Sequence, residues 1–304
     1  MLFYKNFAKK SLRRSGFKEP VQMTAIMLLF VLGVVTFPTR SIVGFFYKGG
    51  EEFVFLFAEG VQRIAFTFMM LHFAKSLGFK LIPRKTHVFG IFATLLAFVI
   101  AVNNFPFVSY ITGQVGVEEN SVQLLSFMLW CVGVGLFEEV SVRGIIFPLV
   151  LIKLSGEKAP RIFKKRPVFW SIAISSVIFS LLHLVNLLNG NVGGTFMQVG
   201  YTFLIGAMCC IVTAVTGDVL VSACIHTVYN VCGMMIESCG FVVRGGRYWS
   251  TGQIICTAAV GAVVCVIMII IALRADKDPS VATYMLGDAA IPEPDDGATN
   301  TKEG

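Results

Sequence analysis

Residues 121–150 read SVQLLSFMLWCVGVGLFEEVSVRGIIFPLV. The only charges in this run are Glu138, Glu139 and Arg143. A stretch this apolar reads as a membrane helix, since one crossing needs roughly 20 apolar residues. It is too long for a simple crossing: at about 1.5 Å per residue it reaches roughly 45 Å. It must tilt, kink or continue past the bilayer. Ionisable residues inside a membrane are costly, which makes them functional candidates by default.

The rest of the chain has the same character. Of its 304 residues, 56% are apolar and 14% charged, and the mean hydropathy is +0.77. An ordinary soluble domain carries about 25% charged residues. This composition excludes a disordered chain, a nucleic-acid-binding domain and a disulfide scaffold. It predicts an all-α, polytopic membrane helix bundle. Eight spans are expected, at 21–38, 53–74, 87–103, 121–150, 168–188, 197–216, 219–238 and 253–273. They form one transmembrane domain over 21–273, preceded by a basic segment at 1–20 and followed by a polar tail at 274–304. The tail, rich in proline and acids, is expected to be disordered. The first apolar run ends at Phe37-Pro38-Thr39-Arg40 without a small-residue cleavage site, so it reads as an uncleaved span. The basic segment reads either as an amphipathic helix on the inner leaflet or as a solvated tail.

The net charge is +7. Nineteen Lys and Arg fall in the N-terminal segment, the loops after spans two and four, and the tail. Four, Arg40, Lys48, Arg244 and Arg247, fall on the other side. The positive-inside rule therefore puts both termini in the cytoplasm, and an even span count agrees. The excess charge then meets anionic lipid rather than nucleic acid. No organelle signal is readable, so a bacterial cell membrane is the expected setting. The eight cysteines form no CxxC pair and lie mostly in apolar runs, so they read as small packing residues.

Three clusters carry the polar content of the spans. In the first, Glu139 and Arg143 are four apart, share a helix face and can pair. Glu138 lies roughly 140° from Arg143, so it is left to face a cavity. Two adjacent buried carboxylates also favour a shared proton, which suits a general base. The second is Phe179 and His183, with Asn186 one turn on. The third is His226 and Asn230, four apart on one face. Each cluster alone also reads as structure: a salt bridge, a core histidine, interhelical hydrogen bonding. Together they supply a base, two imidazoles, a carboxamide and an Arg clamp, which suits water attack on an amide carbonyl.

Other polar residues read as structural. Glu59 and Arg63 are expected to pair at i, i+4, Asp218 to cap span seven, and Glu237 to face solvent. Gly133, Gly135 and Gly144 allow close helix approach, or a bend that opens a cavity. The remaining histidines, His72 and His87, look ordinary. For straight helices Glu138, His183 and His226 lie about 27, 22 and 12 Å from their span ends. Their convergence on one cavity is therefore an expectation with a geometric obstacle.

The order Glu-Glu-x-x-x-Arg, Phe-x-x-x-His, His-x-x-x-Asn, at Glu138, Glu139, Arg143, Phe179, His183, His226 and Asn230, resembles the CPBP family of CAAX proteases and bacteriocin-processing (Abi) proteins. The resemblance covers roughly residues 120–240, and the span count is similar to the Ras-converting CAAX endopeptidase branch. It implies intramembrane hydrolysis of a peptide bond in a membrane-associated protein or peptide. Glu138 would activate water with help from His183. His226 and Asn230 would form the oxyanion site, and Glu139 with Arg143 would position the helix. No cofactor is required by this reading. The alternative is zinc held by Glu138, His183 and His226, a known donor set that here lacks HExxH spacing. Two further readings stand beside proteolysis. One is a non-catalytic scaffold or bacteriocin self-immunity protein of the same family. The other is a proton-coupled transporter, for which the expected inverted repeat is not seen.

Overall fold

The computed structural model describes residues 19–81, 88–118, 120–156, 158–278 and 281. The basic N-terminal segment, His87 and the tail beyond residue 281 lie outside the described residues.

Helix α1 (Pro20–Val35) takes Pro20 at its first position, where a missing N–H costs nothing. It breaks at Thr36–Pro38 and resumes as α2 (Thr39–Phe46). Next come α3 (Glu52–Ser76), α4 (Val88–Asn103), α5 (Phe107–Ile111) and α6 (Ser121–Ser141). A π-helical segment (Val142–Ile146) joins α6 to α7 (Phe147–Ser155). The chain continues as α8 (Arg161–Lys165), α9 (Pro167–Leu182), a 3-10 segment (His183–Asn189), α10 (Val192–Thr216), α11 (Val219–Cys239) and α12 (Thr251–Ala275).

Six of these stretches are long and apolar enough to cross a membrane: Pro20–Phe46, Glu52–Ser76, Pro167–Leu188, Val192–Thr216, Val219–Cys239 and Thr251–Ala275. Two of the eight expected spans are not among them. α4 is a 16-residue apolar helix. The run 121–150 carries the Glu pair and Arg143. The protein is a multi-pass membrane helix bundle. Large apolar side chains face outward all along it, among them Leu29 at 71%, Met197 at 75% and Ile255 at 65% exposure. In water such a surface would be a liability; in lipid it is solvated.

The over-long run resolves as one continuous helix that changes winding. Val142 N–H donates to the Glu138 and Glu139 carbonyls, and Phe147 N–H donates five residues back to Val142. Pro148 next in line has no N–H to donate. The ladder therefore slips by one residue over Val142–Ile146, directly after the Glu pair. π-segments of this kind are frequent at functional sites.

α6 is packed between α3 and α11, and α9 packs along α10 and α7. Two glycines set the spacing around α6. A Cβ on Gly133 would stand 2.6 Å from the Gly60 carbonyl oxygen of α3. One on Gly135 would stand 2.5 Å from Thr227 Oγ1 and 3.0 Å from the Ala223 carbonyl oxygen of α11. Only glycine lets these backbones approach so closely.

The connections are pinned by side chains. Asp218 accepts a hydrogen bond from Leu220 N–H at 2.8 Å, capping α11 as its place in the sequence predicts. Asp276 reaches from the end of α12 to the start of α9, accepting from Val168 N–H at 2.8 Å and Phe169 N–H at 3.1 Å. It thus caps α9 from another element. Two three-residue strands, β1 (Val115–Val117) and β2 (Gly240–Val242), pair antiparallel at one end of the bundle. Strands this short carry no alternation that sequence periodicity could register.

Candidate active site

α6 places Glu138 and Glu139 at its C-terminal end, and the π-segment places Arg143 one turn further on. Glu139 and Arg143 are both 0% exposed. Arg143 Nη1 lies 3.0 Å from Glu139 Oε1, and Arg143 Nη2 donates to the Gly206 carbonyl of α10 at 2.8 Å. The guanidinium also lies over the Phe179 ring, 4.3 Å from its centroid. Arg143 therefore ties α6, α9 and α10 together at one point.

α11 contributes His226. Its Nδ1 lies 2.8 Å from Glu139 Oε1, and its Nε2 lies 3.8 Å from Glu138 Oε2. A carboxylate only accepts, so Nδ1 carries the proton in the first contact. Glu139 thus bridges Arg143 and His226, and His226 turns its other nitrogen toward Glu138. This imidazole–carboxylate arrangement fixes the ring's orientation. The Glu138 side chain keeps 18% of its surface exposed, whereas that of Glu139 keeps none. Burial thus separates two adjacent carboxylates into one structural and one accessible group.

Phe179 on α9 is the hub of the apolar packing. Its ring meets His183 edge-on at 5.0 Å and His226 edge-on at 5.9 Å between centroids. A Cβ on Gly206 would stand 2.8 Å from Phe179 Cδ1, so α10 also leans on this ring. His183 opens the 3-10 segment, and its Nδ1 bonds the Phe179 carbonyl at 3.1 Å. A carbonyl accepts only, so His183 Nδ1 is the donor and Nε2 is left as an acceptor.

Asn230 lies one turn beyond His226, partly buried. Among the described residues no hydrogen bond engages its carboxamide. Asn186 is engaged: its Nδ2 donates to Gln198 Oε1 of α10 at 2.8 Å. Gln198 is a participant that sequence reading missed. Its only signal was a polar residue near the start of an apolar run.

The expected Glu59–Arg63 pair is not formed. Glu59 Oε1 accepts from Arg40 Nε at 2.7 Å, and Glu59 Oε2 accepts from Trp130 Nε1 at 3.0 Å. With both oxygens taken by residues distant in sequence, Arg63 is left without it.

The site holds Glu138, Glu139, Arg143, Phe179 and His226 in contact, with His183 joined through Phe179. No trio of His, Cys, Asp or Glu side chains among the described residues is arranged to hold a metal ion. Glu138, His183 and His226 do not converge as a zinc set, and no step below runs through a metal.

Residues 120–232 match the family model described as Rce1-like, type II CAAX prenyl endopeptidase. Over this stretch, 113 of the 304 residues, the chain is similar to the CAAX protease (CPBP) family. Every residue of the site named above lies inside the matched stretch, whereas Arg40, Glu59 and Arg63 lie before it. No curated protein and no solved structure matches the chain. The CAAX protease match is therefore the one comparison that bears on function. It likens the stretch that carries the Glu pair to an endopeptidase.

Proposed function

We propose that the chain is an intramembrane endopeptidase that cuts a membrane-associated, CAAX-type substrate, with Glu138 as general base. One observation carries the reading. His226 is held by Glu139 through one nitrogen at 2.8 Å and presents the other to Glu138 at 3.8 Å. A base and an oriented electrophile thus stand side by side.

The chemistry follows from those positions. The Glu138 carboxylate takes a proton from a water held by His183 Nε2 as acceptor. The water oxygen bonds to the peptide carbonyl carbon, and the carbonyl electron pair moves to oxygen. His226 Nε2–H and the Asn230 amide donate to that oxyanion. The carbonyl then re-forms, the C–N bond breaks, and the leaving amine receives the proton from Glu138. The base ends as it began. Glu139 and Arg143 touch no reacting atom in this scheme; they position His226 and α6.

Comparison of peptide termini in membranes holding wild type or Glu138→Gln at matched levels tests the reading. New termini confined to the wild type are expected. Identical termini in the presence of a prenylated CAAX substrate contradict it.

A further inference from the structure

Arg63 is the charged group the mechanism does not use. It sits near the middle of α3 (Glu52–Ser76), about 17 Å from the helix start. An unsatisfied cation at that depth is costly and marks function. Its Nε and Nη1 are buried without a hydrogen-bond partner. Glu59, its expected partner, has both oxygens occupied by Arg40 and Trp130. The guanidinium carbon lies 5.4 Å from the centroid of the Phe137 ring, one residue before Glu138. Glu138 is among its charged neighbours, yet the ion-pair contact of Glu138 is with His226. Room for the side chain comes from Gly133, where a Cβ would lie 3.1 Å from Arg63 Cβ.

Arg63 therefore stands on α3 against Phe137, the residue before Glu138, while His226 meets Glu138 from α11. A planar guanidinium with free N–H groups is matched by a carboxylate. We propose that Arg63 anchors the free C-terminal carboxylate of the peptide whose bond Glu138 hydrolyses. The terminal carboxylate is the one anion that every peptide ending in the site carries, whatever its side chains. This assignment rests on the proteolytic reading and adds to it a requirement for a chain end. Arg63 acts here as a specificity residue: it touches substrate but none of the reacting atoms.

The test uses the full chain in lipid nanodiscs and two prenyl-cysteine peptides identical except at the C-terminus, one a carboxylate and one a carboxamide. The wild type is expected to prefer the carboxylate by about tenfold or more in kcat/KM, mostly through KM. Arg63→Gln is expected to abolish the preference, lowering the carboxylate peptide to the level of the amide, and a thermal unfolding midpoint matching the wild type shows that the variant is folded. Arg63→Lys should restore part of the preference. Equal cleavage of both peptides by the wild type overturns the proposal and leaves the protease reading intact. An equal loss on both peptides in Arg63→Gln also overturns it, and assigns Arg63 to positioning Glu138. Cleavage of neither peptide by the wild type sinks the protease reading and this inference with it.

Discussion

His226 Nδ1 and Glu139 Oε1 meet at 2.8 Å across 87 residues of sequence, and the same oxygen lies 3.0 Å from Arg143. The contact joins α11 to α6 inside the bundle and leaves His226 Nε2 toward Glu138. Everything proposed about the chemistry depends on this joint.

Neutralising Glu139 should cost more stability than activity arguments alone suggest. Glu139→Gln leaves Arg143 charged and fully buried, a loss of about 3–5 kcal/mol. Thermal unfolding in a single detergent should show it. The double variant Glu139→Leu, Arg143→Met removes both charges and should recover much of that stability. Activity should stay lost in both, because His226 is no longer oriented. Full activity in the stable double variant would contradict a positioning role for Glu139.

Asn230 should matter to turnover rather than to folding. Among the described residues its carboxamide makes no protein hydrogen bond, so Asn230→Ala removes no internal partner. As an oxyanion donor its loss should lower kcat by about 10²–10³ with KM little changed. Steady-state kinetics on a prenylated peptide separates this outcome from a change confined to KM, which would assign Asn230 to substrate binding instead.

Gly135 sets how closely α11 approaches the Glu pair. Gly135→Ala puts a methyl 2.5 Å from Thr227 Oγ1 and 3.0 Å from the Ala223 carbonyl. Forcing the helices apart should cost about 1–3 kcal/mol, and it should lower activity by moving His226 from Glu138. Adding Thr227→Ala removes only the first of the two clashes, so it should restore the variant in part. Wild-type stability for Gly135→Ala, read by thermal unfolding, would contradict so close a crossing.

Removing metal should leave catalysis intact. Dialysis against a strong chelator is expected to change turnover by less than about twofold, since a zinc-activated water would be lost with its ion. Loss of activity that returns with added zinc would contradict the metal-free scheme.

Much of this architecture was legible in sequence, and the rest was hidden for physical reasons. Helical period alone places Glu139 beside Arg143, because both lie on one short stretch of helix. The same argument fails at Glu59 and Arg63. Their spacing permits a pair, but Arg40 and Trp130 compete for Glu59 through tertiary contacts that no local pattern encodes. Composition locates six of the eight expected spans among the described residues, and Asp218 marks the start of α11. The excess length of 121–150 signals a departure from a straight crossing. Only the backbone shows that the departure is a π-segment, placed by Pro148 and by a carbonyl ladder that slips at Val142. The straight-helix depths give no hint of the contact of His226 with the Glu pair, which α11 and α6 make near their close crossing at Gly135.

The most direct test of the central claim is the turnover of Glu138→Gln on a prenylated CAAX peptide, using protein reconstituted in nanodiscs and matched to wild type in thermal stability. As the general base, Glu138 should be worth about 10²–10⁴ in kcat, so the variant should fall by that factor while still binding the peptide. A variant that turns over within about threefold of wild type, a difference worth less than 1 kcal/mol, would contradict the assignment of Glu138 as the base.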